Sequence, residues 1–102
     1  MLVTKKIPPQ KALKLNFNYS DGHLYWKTPT YRVRIGDRAG CIRANDVYHV
    51  TKLNNKEYRT HRLIWTWHYG EIPEGESVIH IDGDKLNNRI DNLRLCNKYS
   101  NS

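Results

Sequence analysis

The stretch Val78-Ile79-His80-Ile81-Asp82-Gly83-Asp84-Lys85-Leu86-Asn87-Asn88-Arg89-Ile90-Asp91-Asn92-Leu93-Arg94 gathers side-chain amides and carboxylates around a single histidine. Such groups let a tight loop satisfy its own backbone donors and acceptors. His80 stands at the end of a short apolar run, just before a glycine turn, where a side chain can face a ligand. A neutral imidazole in that position can take a proton from water near physiological pH, which is general-base chemistry. Asp82 and Asp84 read as turn acids first and as oxygen ligands for a hard cation second. The plainer reading is a structural Asn-rich loop with an incidental histidine.

The charge balance names the class of partner. Seventeen Lys and Arg oppose ten Asp and Glu, a formal net charge of +7, and the pI is about 9.6. From Met1 to Arg59 twelve basic residues face four acidic ones, whereas from Thr60 to Ser102 five face six. A basic body of this kind neutralises phosphates and releases counterions, giving salt-sensitive affinity for nucleic acid. Arg32, Arg34, Arg38, Arg43 and Lys52 read as a phosphate track rather than a solvated face, with Arg62, Lys85 and Arg89 as further nucleic-acid contacts. Charge alone does not choose DNA over RNA, or cutting over binding.

The elements that must position these groups follow from periodicity and turn chemistry. The chain has 102 residues, 38% of them apolar, and a mean hydropathy of −0.81. That is enough for one thin-cored domain in which three Trp, seven Tyr and one Phe supply much of the packing. Residues 1–15 read as a flexible basic arm broken by Pro8-Pro9, within which Lys11 to Leu15 is either a helical turn or an extended lead-in. Asp21-Gly22 predicts a hairpin between Phe17–Tyr19 and Leu24–Trp26. Tyr31–Ile35 and Val47–Leu53 alternate as strands, and Asn54-Asn55 predicts a tight turn into Lys56–Arg59. Thr60 as N-cap and Gly70 past the end predict a helix between them, apolar on two sides and therefore sandwiched. Ser77–His80 and Leu93–Cys96 read as short strands flanking the loop. His61 reads as a hydrogen-bonding residue at the helix start, His68 as partly exposed, and His23 and His49 as lying on the sheet surface. Seven residues of helix rise about 10.5 Å, so His61 and His68 do not share an ion. Trp26, Trp65 and Trp67 read as core.

No run approaches the roughly 18 apolar residues of a membrane span, and the first ten residues have no secretory pattern. Cys41 and Cys96 stand far apart, which fits free thiols in a reducing compartment.

His80-x-Asp82-Gly83, Asn87-Asn88, Asn92-Leu93 and Asn101 resemble the HNH endonuclease family in its phage and homing-type branch. So do His61-Arg62-Leu63-x-Trp65, Gly70-x-Ile72-Pro73-x-Gly75, Tyr19-x-x-Gly22-x-Leu24-x-Trp26-Lys27 and Ala39-Gly40, so the resemblance runs from about Phe17 to the end. It implies a ββα-metal hairpin in which His80 activates water, Asn92 holds the loop and orients the histidine, and Asn101 on the following helix ligates one divalent ion, Mg²⁺ or Mn²⁺, with Asp82 assisting. The implied reaction is hydrolysis of a phosphodiester of double-stranded DNA to a 5′-phosphate and a 3′-hydroxyl. Members usually carry an acid or a histidine directly before the base, and this chain carries Ile79. The metal-bearing helix is barely one turn before Ser102, which suggests a piece of a longer protein or a helix held only by packing.

The whole is expected to be one α+β domain. Residues 1–15 form the arm, residues 16–59 a basic β-rich part that contacts DNA, and residues 60–102 the HNH part with a truncated final helix. One active site per chain would nick once per binding event, so that a double-strand cut would need a dimer or two visits. A monomer or weak dimer is expected, in the cytoplasm of a bacterial host and encoded by a phage or prophage. A catalytically degenerate HNH-fold DNA-binding module is the competing reading, and an RNA-binding or ribosome-associated basic protein the third.

Overall fold

Asp21-Gly22 and Asn54-Asn55 both take positive φ, at 47° and 86° and at 53° and 64°. This is the mirror-image turn geometry that matches the twist of paired strands, and Asn, Asp and Gly adopt it most readily. In a computed structural model, which describes residues 7–28, 33–42 and 47–97, each turn closes the antiparallel hairpin expected of it. β1 (Phe17–Ser20) pairs with β2 (His23–Trp26). β4 (His49–Leu53) pairs with β5 (Lys56–Arg59), and β4 also takes the two-residue β3 (Cys41–Ile42) along its other edge. The third sheet is β6 (Glu76–His80) against β7 (Leu93–Asn97), with a short 3₁₀ turn at Ile90–Asn92 leading into β7. The architecture is α+β, with three small antiparallel sheets and two helices, α1 (Gln10–Asn16) and α2 (Thr60–Tyr69).

The core forms where these pieces meet α2. Leu13, Phe17, Leu24, Leu63 and Ile64 are fully buried, with Trp26, Leu53, Tyr58, Val78 and Leu93 around them. Burying one such side chain is worth roughly 1.5–3 kcal/mol. Polar groups tie the layers together. The Trp67 indole N–H donates to the Phe17 carbonyl at 3.0 Å, and the Gln10 amide donates to the Trp67 carbonyl at 3.1 Å. Trp65 and Trp67 pack against the core cluster as partly buried rings, whereas Tyr69 is 63% exposed, so the second apolar side of α2 is only half covered.

Four expectations change. Lys11–Leu15 is helical, and Leu13 is fully buried, so residues 10–15 of the expected arm are anchored by packing against α2; residues 1–6 lie outside the described residues. Tyr31–Ile35 was expected as a strand. Tyr31 lies outside the described residues, and beyond a bridge at Val33 the chain turns. There the Asp37 carboxylate accepts the Arg34 N–H at 2.9 Å and Gly36 takes φ 93°, because a side-chain acceptor competes with strand pairing. Thr60 is the first residue of α2 rather than its cap, a place held by Arg59. Its buried hydroxyl instead meets the His49 Nδ1 at 2.7 Å and the Thr51 hydroxyl at 2.8 Å. The basic leader is two sheets rather than one, with residues 36–39 running beside β2.

α2 also buries His61, which is 5% exposed. Burial, with the charges of His80, Arg62 and Arg59 adding to it, pushes its imidazole down to about 3 from the usual 6.5. The unfolded chain therefore binds a proton that the folded chain refuses between those values. Stability from this group is present above pH 6.5 and lost as pH falls towards 3. Denaturant titrations from pH 7 to pH 4 should show a decline in stability that is smaller in His61→Phe than in the parent. A second measurement concerns Gly40, at φ 91°, where a Cβ would press on the His49 ring and lie 2.6 Å from the Thr51 hydroxyl. Gly40→Ala should lower stability by about 3 kcal/mol or more, read as a shifted denaturation midpoint.

Candidate active site

Alternation along β6 points Val78 into the core, at 5% exposure. His80, two residues on, leaves the same face at the strand end. It meets the first turn of α2, where its ring centroid is 4.6 Å from that of His61. Tyr48 completes the group, stacked on His61 at 5.4 Å and 6.2 Å from His80. The β4–β5 register explains this arrival: Val50 stands opposite Arg59, so two residues further out Tyr48 falls opposite His61. Two cations crown the same ring. The Arg59 guanidinium lies 4.0 Å from the Tyr48 centroid and the Lys85 ammonium 5.9 Å from it.

His80 is held on one side by the loop it opens. Its Nε2 lies 2.7 Å from Asn88 Oδ1, and Asn88 is 4% exposed. With the amide assigned this way round, Oδ1 only accepts, so Nε2 carries the proton and Nδ1 keeps its lone pair. The residue that orients the histidine is therefore Asn88, where the family resemblance had implied Asn92. Asn92 holds the loop itself: its Oδ1 accepts the Asp82 N–H at 3.1 Å, and its Nδ2 donates to Asp82 Oδ1 and to the Asn87 carbonyl, both at 2.9 Å.

Asp82 is the centre of that loop. Its Oδ1 also accepts the Asp84 N–H at 2.8 Å, and its Oδ2 accepts the Asn87 amide at 2.9 Å. These bonds, Asn87 first, hold its carboxyl below the usual aspartate range. From the leader, Tyr19 accepts the Ile90 N–H at 2.9 Å and Asp21 pairs with Arg89 at 2.7 Å. The amino-terminal hairpin thus braces the loop from outside.

The expected metal set finds little support in these donors. Asn101 lies outside the described residues. Ile79 offers no ligand atom. Asp82 has three of its four carboxylate lone pairs engaged by the loop. No group of three His, Cys, Asp or Glu suited to a metal occurs among the described residues. The described donors therefore do not by themselves fit a resident ion.

The other expected contacts divide. Arg62 and Lys85 lie beside the histidines, lining cavities of about 540 and 240 Å³ respectively that share Tyr48, Val78 and Ile79. Arg89 is engaged by Asp21. Arg34, Arg38 and Lys52 are exposed on the leader, and Arg32 and Arg43 lie outside the described residues. Cys41 and Cys96 are free thiols. Sequence reasoning missed His61, Tyr48, Asn88 and Arg59 as neighbours of His80. Extending the register of the Asn54-Asn55 hairpin was the signal that could have found Tyr48 against His61.

Comparison with known proteins agrees with this geography. A family model described as HNH endonuclease matches residues 58–102. Over 51 residues, half of this chain and 30% of the relative, the sequence is 39% identical to the Bacillus subtilis (strain 168) protein named "SPbeta prophage-derived putative HNH homing endonuclease YosQ". Over 47 residues, 46% of this chain and 39% of the relative, it is 45% identical to Protein 3.8 of Escherichia phage T7. The chain thus spans about a third of the length of these curated relatives. No solved structure gives a significant match. The matched segment begins at Tyr58 and takes in α2, β6, the Asn-rich loop and β7, and over these residues, 58–102, the chain is similar to HNH endonucleases.

Proposed function

We propose that this chain is the DNA-hydrolysing part of a metal-dependent HNH endonuclease acting on double-stranded DNA, with His80 as general base. The observation that carries the reading is the half-buried His80 imidazole. Asn88 ties it at Nε2, so that Nδ1 keeps its lone pair, and the ring lines the cavity that Lys85 borders, next to the one lined by Arg59 and Arg62. Nδ1 takes the proton of a water whose oxygen attacks phosphorus. The P–O3′ bond breaks, giving a 5′-phosphate and a 3′-oxygen that solvent protonates. His61, held neutral by burial, adds no positive charge beside the imidazolium that forms. The nearby cations offset charge on the phosphate.

The proposal includes one hard divalent cation, Mg²⁺ or Mn²⁺, which when bound supplies charge stabilisation at the leaving oxygen. Asn101 would hold it, with Asp82 assisting. The exposed Arg34, Arg38 and Lys52, with Arg32 and Arg43, are proposed to track the DNA backbone. No helix among the described residues is long and apolar enough to cross a membrane. Relatives from a phage and a prophage support action in the cytoplasm of a bacterial host.

A second reading, a DNA-binding module that no longer cuts, is favoured by Ile79 and by the engaged Asp82 carboxylate. Supercoiled plasmid incubated with Mg²⁺ or Mn²⁺ separates the two. The nuclease reading expects relaxation to the nicked circle, loss of relaxation with EDTA, and a fall of about 10²-fold or more in His80→Ala. Equal relaxation by His80→Ala would overturn it. Ile79→Asp is expected to strengthen metal dependence in an active parent. Nicking that arises only in Ile79→Asp would establish the second reading.

A further inference from the structure

The first turn of α2 carries an arrangement that folding alone disfavours. The amino end of a helix has a positive partial charge and favours acids, yet no acid stands in this first turn. Instead Arg59 occupies the cap and Arg62 follows three residues later. Their guanidiniums repel one another: burial first, and the Arg59 charge second, act against the charged state of Arg62. The Arg62 Nε is buried and finds no hydrogen-bond partner among the described residues, which for a charged donor is costly. Both arginines line the cavity of about 540 Å³ beside His61 and Ile79. Arg59 is held in place over the face of Tyr48. A pair of cations lining one cavity beside the strand that carries His80 describes a site for an anion.

We propose that Arg59 and Arg62 form a phosphate-binding cavity that seats a backbone phosphate of the DNA strand next to the one attacked at His80. The inference rests on the nuclease reading for the identity of the strand, and on the cavity alone for the anion. Arg62 supplies a guanidinium whose planar fork matches phosphate oxygens. Arg59 supplies the second charge, and its Tyr48 platform, shared with His61 and His80, sets the spacing between the seated phosphate and the reacting one. Glu74 and Glu76 line the same cavity and act against anion binding. They confine the site to a strand that also gains contacts elsewhere on the basic leader.

Titration with inorganic phosphate, observed at the arginine Nε–H resonances, tests the cavity without requiring catalysis. The expected result is a saturable shift of Arg62 Nε–H that acetate does not reproduce. It should weaken roughly tenfold in Arg62→Lys, which keeps the charge and loses the fork, and in Arg59→Gln. Glu74→Gln should strengthen it, a change that a purely structural role for the arginines would not produce. With duplex DNA, Arg59→Gln should lower the slope of log affinity against log salt by about 1. Absence of the shift in the parent, an equal response to acetate, or an unchanged salt slope in a folded Arg59→Gln would overturn the proposal. Phosphate binding without any affinity for DNA would overturn the nuclease reading while supporting the anion site.

Discussion

The reciprocal pair between Asp82 and Asn92 governs the rest of the site. Each residue both donates to the other and accepts from it, one bond through backbone N–H and one through side chains. Together with the Ile81 N–H bond to the Asn92 carbonyl at 2.7 Å, they clamp the two ends of the connection between β6 and β7. Everything within the clamp then has a fixed path, and Asn88 arrives at His80. A polar loop of this size has little apolar surface with which to hold itself, so its shape rests on satisfied side-chain amides and carboxylates.

Three independent parts of the chain converge on that loop. The amino-terminal hairpin delivers Tyr19 and Asp21 to its outer side. The β4–β5 hairpin delivers Tyr48 and Arg59. The start of α2 delivers His61 and Arg62. The family match begins at residue 58, yet Tyr19, Asp21 and Tyr48 come from before it. The leader is therefore part of the site's support as well as a basic surface. The cost of this convergence is visible in the buried Arg62 Nε, which finds no hydrogen-bond partner among the described residues, and in His61, which burial holds neutral.

Much of the fold was legible in the sequence because local rules determine it. Asp21-Gly22 and Asn54-Asn55 admit one tight turn geometry, alternating residues on either side admit one register, and Gly70 ends α2 where it should. The Asn-rich loop could be recognised as a site because its residue types serve no core. Where reading failed, a non-local partner had overridden a local preference. Thr60 has the chemistry of a cap but bonds to His49 and Thr51 across the sheet. Leu13 makes a short, otherwise marginal helix worth forming only because α2 is there to receive it.

The division follows from the range of the forces. Turn type, strand pairing, net charge and the identity of the general-base candidate depend on neighbours in the chain, and the amino-acid order was sufficient for them. Which amide grips His80, that His61 is buried against it, and that two arginines share a cavity one aromatic ring away depend on contacts between segments brought together only by packing. Burial and convergence belong to the folded arrangement, so the orientation and electrostatic surroundings of the reactive groups became visible only there.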